Sequence, residues 1–218
     1  MIDLEKFIIH DLTHSLNDQM VGFSSKPAKT LTKDGWNART LSIYSHAGTH
    51  MDSPFHFGVS NETIDDFTPE NLMCSADILE VEIKEAKQLI TIESLGTLAK
   101  NFTSGNGLLI CTKWSDKLND INFKKDLPRI SEDLAIWCVE KKVKILGVEP
   151  LSVADVENIE EVTKIHQILL GGKVVILEGL KNLDKIKKKE VFLIALPLKI
   201  ENGDGAPARV IAFEENGD

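Results

Sequence analysis

The chain has 218 residues, of which 42% are hydrophobic and 27% are charged, and its formal net charge at pH 7 is −9. This length and composition are typical of a soluble globular protein with its own core, so we expect a single domain over residues 1–218. The negative charge argues against a nucleic-acid partner, because binding to phosphates needs clustered basic side chains.

The cysteines and the N-terminal segment indicate the cellular setting. Cys74, Cys111 and Cys138 are odd in number, widely spaced and include no Cys-x-x-Cys pair. This pattern predicts neither a disulfide framework nor a zinc ribbon, and it favours a reduced, cytoplasmic protein. The N-terminal segment lacks a basic stretch followed by an apolar run, so we expect no signal peptide. No stretch approaches twenty consecutive apolar residues, and we expect no membrane partner.

Predicted strands and helices alternate along the chain. We predict strands where apolar residues run together or alternate with polar ones, and helices where apolar residues recur at helical spacing behind a capping side chain. The polar segment 13–27 is expected to be an irregular, mobile arm. The mixture of elements predicts an α/β or α+β fold. The predicted strands are 7–12, 40–45, 77–83, 107–112, 143–148, 173–177, 191–197 and 209–213, and the predicted helices are 91–100, 131–142 and 160–170.

The stretch 45–57, SHAGTHMDSPFHF, is rich in potential metal ligands: it contains His46, His50, Asp52 and His56. Imidazole nitrogens and carboxylate oxygens are ligands that zinc and manganese accept, and a site needs three or more of them converging on one point. A single histidine is more often a hydrogen-bonded core or surface residue than a ligand. Four candidates so close together favour a metal site instead.

Convergence of these side chains requires a bent backbone. In a straight strand, His46 and His56 would lie roughly 33 Å apart, far beyond the reach of a shared ion. Gly48 and Pro54 are the residue types that a tight loop would use. A helical turn would instead bring His46 next to His50, and both arrangements remain open at this point.

The same stretch resembles a known family. HAGTHMDSPFH matches the signature H-x-G-T-H-x-D-x-P-x-H of the cyclase family of metal-dependent hydrolases, which includes bacterial kynurenine formamidases and isatin hydrolases. Similarity continues in IIHDLTHSL, GLLICTKW, KILGVEPLSV, IHQILLGGKVVILEGLKNL and ALPLKIENGDGAPARV, so it extends over nearly the whole chain. The resemblance implies a cyclase-like swivelling β/β/α fold, in which helices flank a mixed central sheet or barrel.

The resemblance also implies roles for individual residues. It makes His46, His50 and Asp52 metal ligands, and it makes His56 the residue that transfers protons. The family has a second segment in which a ligand histidine precedes a ligand glutamate by twelve residues, and His166 and Glu178 have that separation here. Taken alone, His166 would be read as a core histidine and Glu178 as a surface acid. The resemblance implies one or two ions per subunit, with Asp52 and Glu178 able to bridge two.

The ligand set and the resemblance together predict a reaction. A divalent ion, zinc in the first place and manganese as the alternative, lowers the pKa of bound water from 15.7 to about 7 and polarises a carbonyl group. His56 can then carry a proton to the leaving nitrogen. The expected activity is hydrolysis of a small-molecule amide, as in arylformamidases that convert N-formylkynurenine to kynurenine and formate. An isatin-type lactam hydrolase, a metal-binding protein without catalysis and a structural zinc domain are the alternatives.

The chain departs from the family pattern at several positions. Phe23 stands where the formamidases have a tryptophan that packs on the substrate ring, and we take Phe23 as a substrate-binding candidate. Ser24 and Ser25 replace the usual Pro-Gly. Cys111 replaces a common arginine, and Glu149 replaces a common aspartate. The resemblance further implies a homodimer or homotetramer, in which the arm 13–27 would be able to cross to a neighbouring subunit.

Overall fold

A computed structural model describes residues 3–217, which form twelve strands and four α-helices together with short 3-10 turns. The strands are β1 (Phe7–Asp11), β2 (Phe23–Lys29), β3 (Ala38–Ile43), β4 (His50–Asp52), β5 (Met73–Glu80), β6 (Leu89–Ile90), β7 (Gly107–Cys111), β8 (Arg129–Ile130), β9 (Ile145–Val148), β10 (Val175–Glu178), β11 (Glu190–Pro197) and β12 (Gly205–Glu215). The helices are α1 (Leu31–Asp34), α2 (Leu98–Asn101), α3 (Glu132–Glu140) and α4 (Ile159–Gly171).

A closed, mixed β-barrel forms the centre of the molecule. Its strands pair in the order β12, β11, β5, β7, β9, β10 and β4, and the first residues of β12 return to pair with β4. The pairs β5 with β7, β7 with β9 and β9 with β10 are parallel, and the other pairs are antiparallel. β1 extends the sheet by pairing with β12. The prediction of a mixed central barrel flanked by helices is therefore confirmed.

The barrel wall separates two apolar cores. Leu109 of β7 packs with Met51, Leu177 and Leu193 in the core inside the barrel. Its neighbours Leu108 and Ile110 pack on the opposite face, in the core shared with α3 and α4. The alternation follows from the two-residue repeat of a strand, and it explains why β7 is buried along its whole length.

The two long helices begin at residues whose side chains cap them. Ser131 Oγ accepts the backbone N–H of Leu134 at the start of α3, and Asn158 Oδ1 accepts that of Glu161 at the start of α4. These bonds satisfy N–H groups that have no partner within the helix. Both helices agree with the sequence prediction to within two residues.

Two sequence predictions were wrong. The segment 91–100 is not one helix: Gly96, with φ of +53°, separates a 3-10 turn (Ile92–Leu95) from α2. The segment 13–27 is not irregular throughout, because β2 begins at Phe23 and forms a hairpin with β3. The strand predicted at 40–45 overlaps β3, but apolar periodicity did not reveal β2, which lies outside the barrel and is largely exposed.

The three cysteines are buried and unpaired. Among residues 3–217, no helix combines the length and the apolar character that crossing a membrane would require.

Candidate metal centre

Strand pairing sets the positions of the predicted ligands. β4 lies between β10 and β12, and His50 is directly opposite Glu178, while Asp52 is opposite Gly205. His50 and Asp52 share one face of β4 because they are two residues apart, whereas Met51 between them points into the barrel core. The two ligand candidates therefore lie on the outer face of the barrel wall, toward α4.

Helix α4 adds His166 to this face. Its Nε2 atom lies 3.4 Å from Glu178 Oε1 and 3.5 Å from Asp52 Oδ2. His50 Nε2 lies 3.1 Å from Glu178 Oε2 and 3.7 Å from Asp52 Oδ1. All four residues are at most 3% exposed. Residues more than a hundred positions apart thus form one buried cluster of two imidazoles and two carboxylates.

Backbone carbonyl groups fix the orientation of both rings. His50 Nδ1 lies 2.9 Å from the carbonyl oxygen of Gly48, and His166 Nδ1 lies 2.7 Å from that of Val162. Each Nδ1–H donates to its carbonyl, so each Nε2 is directed at the carboxylates. Metal-binding histidines commonly have this second hydrogen bond, which selects the tautomer.

His46 and His56 complete the site on the other side of Asp52. His46 Nδ1 lies 2.9 Å from Asp52 Oδ1, and the rings of His46 and His56 stack with centroids 3.9 Å apart. The loop bends at Gly48, where φ is +64°, so the predicted fold-back is confirmed. Because His50 begins strand β4, the alternative in which a helical turn brings His46 next to His50 is wrong.

Within residues 3–217, two groups of side chains have donor atoms close enough to hold an ion, and they share Asp52. One group is His46, Asp52 and His56, and the other is His50, Asp52 and Glu178. Four of the five predicted ligands belong to these groups. The fifth, His166, belongs to neither, but its Nε2 atom lies 3.4 Å from Glu178 and 3.5 Å from Asp52, so the structure brings all five side chains together. His56, predicted to transfer protons, also has a ring nitrogen close enough to the other donor atoms to serve as a ligand.

Electrostatic interactions in the cluster are strong. Burial opposes protonation of His46, but hydrogen bonds and charges from Asp52 and Asp204 outweigh it and raise the pKa of His46 to about 9. In the same way, Glu178 and Asp52 raise the pKa values of the buried His50 and His166. The carboxylates therefore favour the protonated forms of His46, His50 and His166.

The pKa values of Glu178 and His56 are both lowered, but for different reasons. Burial raises the pKa of Glu178, but hydrogen bonds and charges from His166 and His50 outweigh burial and lower it. Burial lowers the pKa of His56, and repulsion from His46 and His166 adds to the effect, while Asp52 opposes it.

The hydrogen bonding of one Asp52 oxygen indicates that this cluster suits a metal ion. Asp52 Oδ2 is buried and has no hydrogen-bond partner among the described residues. A carboxylate oxygen without a partner is costly in the interior, and a divalent ion would satisfy it. Imidazole and carboxylate ligands without cysteine suit zinc and manganese and are unlike the cysteine-rich sets of many structural zinc sites.

Sequence reasoning missed three neighbours of the site. Asp204 Oδ2 lies 2.9 Å from His46 Nε2. The ring of Phe57 stacks on that of His166 at 4.2 Å, and the ring of Tyr44 lies 5.5 Å from that of His46. The acid in the Gly-Asp-Gly turn 203–205 and the aromatic residues flanking the histidine loop were the available signals.

Phe23 occupies a different environment from these neighbours. It is half-buried at the start of β2, where it pairs with Ile43 of β3.

A cavity of about 340 Å³ lies between the segment before β2 and the loop after β7. Neither Phe23 nor any of the six predicted metal and catalytic residues lines this cavity. Met20 of its wall lies against Gly48, so the cavity borders the histidine loop.

Comparison with known proteins identifies the family. Residues 10–155 match the model of the family described as "Putative cyclase". The chain belongs to this family. His166 and Glu178 lie outside the matched residues, and the fold alone brings them to the signature loop.

The sequence relatives of this member of the Putative cyclase family include enzymes named kynurenine formamidase. The protein from Bacillus thuringiensis (strain Al Hakam) is 31% identical over 178 residues, which cover 80% of this chain and 79% of the relative. The protein from Bacillus cytotoxicus is 28% identical over 208 residues, which cover 92% of this chain and 95% of the relative.

Solved structures share the fold of this family member. Isatin hydrolase A from Ralstonia solanacearum superimposes with a TM-score of 0.83 at 24% identity, covering 97% of this chain and 93% of the other. An isatin hydrolase bound to thioisatinate has a TM-score of 0.88 at 20% identity, covering 97% and 94%. A protein described as a potential metal-dependent hydrolase with cyclase activity has a TM-score of 0.78 at 23% identity, covering 97% and 100%.

Proposed function

We propose that this protein is a metal-dependent hydrolase that cleaves the C–N bond of a small-molecule amide, with an aryl formamide as the first substrate class. The observation that carries the proposal is the buried Oδ2 atom of Asp52, which has no hydrogen-bond partner among residues 3–217 although it lies between histidines and carboxylates. The relatives named kynurenine formamidase support the choice of reaction.

In this proposal His46, His50, Asp52, His166 and Glu178 hold one or two divalent ions, zinc first and manganese as the alternative. Asp52 belongs to both donor groups and would be shared if two ions bind. A bound ion supplies Lewis acidity, which makes hydroxide available at neutral pH and polarises a substrate carbonyl. The protein keeps the ligands dry and correctly oriented through the carbonyl groups behind His50 and His166.

His56 is proposed to move the proton. Its side chain is 26% exposed, unlike the buried ligands, so it can meet a substrate that enters from solvent. Stacking on His46 and contact with Phe57 hold the ring in place. An imidazole so placed can accept a proton during attack on the carbonyl and return it to the leaving nitrogen.

Metal analysis and a substrate panel test the proposal. We expect the purified protein to contain zinc or manganese and to hydrolyse N-formylkynurenine faster than isatin. The reverse preference would assign the lactam alternative. A protein that binds the ion in stoichiometric amounts and hydrolyses no amide in the panel would contradict catalysis and favour a metal-binding role.

Replacing His56 tests the assignment of the proton carrier. His56→Ala should keep its metal content and lose roughly 10²- to 10⁴-fold in kcat, the usual contribution of general acid–base catalysis. His10→Ala is the control, because His10 binds Glu214 and lies outside both donor groups, and it should keep full turnover. Loss of metal from His56→Ala would show that His56 is a ligand instead.

A further inference from the structure

Asp204 lies beside two histidines of the site, in the turn before β12. Its Oδ2 atom is 2.9 Å from His46 Nε2, 3.6 Å from His56 Nδ1 and 3.2 Å from Ser45 Oγ. Its side chain is 40% exposed, so its charge is partly solvated, unlike that of the buried Asp52. One carboxylate oxygen therefore faces both the outermost ligand and the proposed proton carrier.

The backbone holds Asp204 in this position. Its carbonyl oxygen accepts the backbone N–H of Ser53 at 3.0 Å and the Ser53 hydroxyl at 2.9 Å. The next residue must be glycine, because a Cβ atom on Gly205 would lie 2.7 Å from both His46 Cε1 and the Met51 carbonyl oxygen. The turn thus packs closely against the ring of His46, and its hydrogen bonds to Ser53 fix it next to the strand that carries Asp52.

This placement divides the two nitrogens of His46 between two carboxylates. Nε2 faces Asp204, and Nδ1 faces Asp52 in the interior at 2.9 Å. When Nε2 donates its hydrogen to Asp204, the lone pair of Nδ1 is left for an ion held by Asp52. In His50 and His166, one ring nitrogen likewise faces the carboxylates, while the other donates to a backbone carbonyl group. At His46, Asp204 takes the place of that carbonyl group.

We propose that Asp204 is a positioning residue, which fixes the tautomer of His46 for metal binding and holds the stacked ring of His56 toward the substrate. The inference rests on the proposed metal-dependent hydrolase function, and it adds a residue outside the predicted ligand set. Carboxylates that hold metal-binding histidines typically contribute 10- to 100-fold to metal affinity or activity.

The test measures zinc affinity by competition with a chromophoric chelator, and kcat and KM on the best amide of the panel. Asp204→Ala should weaken zinc binding about 10- to 100-fold and lower kcat at least about 10-fold. KM should change by less than about threefold, because Asp204 acts through the histidines. Asp204→Asn should fall between Ala and the wild type, because its amide oxygen can still accept from His46.

Glu201→Gln is the matched control, because it removes a negative charge from an exposed position of the same turn. It should leave zinc affinity, kcat and KM unchanged. Should Asp204→Ala fail to fold, the nearly isosteric Asp204→Asn carries the test, with circular dichroism as the check on folding.

The outcomes separate this inference from the proposed function. Zinc affinity and kcat of Asp204→Ala within twofold of the wild type would overturn the positioning role and leave the hydrolase proposal standing. Weakened zinc binding in Asp204→Ala, in a wild-type protein that hydrolyses no amide, would support the positioning role and contradict the hydrolase. Equal losses in Asp204→Ala and Glu201→Gln would overturn the inference, because a general charge effect would then explain both.

Discussion

Two buried carboxylates of this protein, Glu149 and Asp52, differ in their hydrogen bonding. Glu149, fully buried after β9, accepts from the backbone of Thr112, from two hydroxyl groups and from the backbone of Trp114, so it fixes the loop after β7. The Oδ2 atom of Asp52, in contrast, has no hydrogen-bond partner in the described part of the chain. This difference supports the proposed ligand role of Asp52 and a structural role for Glu149.

Cys111 is best explained as a packing residue. It is 2% exposed at the end of β7, and burial, with a contribution from the charge of Glu149, raises the pKa of its thiol to about 12. A thiol that stays protonated at neutral pH is neither a nucleophile nor a good metal ligand. Cys111 therefore carries no charge that could replace the arginine that the family resemblance implies at this position.

Glu214 predicts a specific dependence of stability on pH. Burial raises its pKa, but hydrogen bonds from His10 and from the backbone N–H groups of Lys187 and Lys188 outweigh burial and lower it. A lowered pKa stabilises the fold above the ordinary glutamate value of 4.5, and this stabilisation is lost as the pH falls through the folded-state value.

Glu214→Gln should therefore lower the urea midpoint at pH 7, and its difference from the wild type should shrink as the pH falls below 4.5. Urea unfolding curves at several pH values check this expectation. Glu215→Gln, at an exposed neighbouring position of β12, should have little effect at any pH. A difference between Glu214→Gln and the wild type that is constant from pH 7 to pH 3 would show that ionisation of Glu214 does not stabilise the fold.

Strand β4 is the element that organises the site, although it has only three residues. It presents His50 and Asp52 on one face because it pairs with both β10 and β12. Helix α4 supplies His166, and α4 and α3 pack in one apolar core on the outer face of the barrel wall. The site therefore depends on the position of α4. This helix ends at Gly171 and Gly172, which have different surroundings.

Substitution of these two glycines should have opposite effects on stability. A Cβ atom on Gly171 would make ordinary contact with Val59 at 3.7 Å, so Gly171→Ala should raise the unfolding free energy by about 0.5 kcal/mol through its helix propensity. A Cβ atom on Gly172 would collide with Val139 of α3, so Gly172→Ala should lower it by about 1–3 kcal/mol.

Urea denaturation of both variants, with circular dichroism of the helices, measures these changes. Each variant is the control for the other, because both replace adjacent glycines with the same residue. Destabilisation of equal size in both would mean that backbone conformation, and not packing against α3, limits the end of α4.

At the scale of the whole molecule, the candidate metal centre connects distant parts of the chain. The strand that carries His50 and Asp52, helix α4 and strand β10 all contribute to it, and the turn at Asp204 borders it. An ion bound there would link these parts only in the folded state, and ligands that bind the folded state alone stabilise it.

Zinc should therefore raise the melting temperature of the metal-free protein. At a free concentration 100 times its Kd, the gain is about 2.7 kcal/mol, which corresponds to roughly 5–10 °C for a protein of this size. Thermal melts of chelator-treated protein with and without added zinc make the measurement. The same addition should not shift the melting temperature of Glu178→Gln, and a comparable increase in that variant would place the ion elsewhere.

The sequence alone identified the ligand types, the strand β7 and the helices α3 and α4, because local spacing and capping residues determine these features. It also identified the five candidate ligands, but only through a resemblance for His166 and Glu178, whose separation has no meaning in a single helix or strand.

Tertiary structure decided which side chains actually meet. Closure of the barrel through β4 and β12 brings Asp204 to His46 across 158 positions of the chain. It also places Phe23 at the start of the outer hairpin, paired with β3. The substrate contact that the family resemblance implies for Phe23 stays a prediction. Contacts of this kind depend on strand order and register, which arise from the packing of the whole barrel and are not encoded in any short segment.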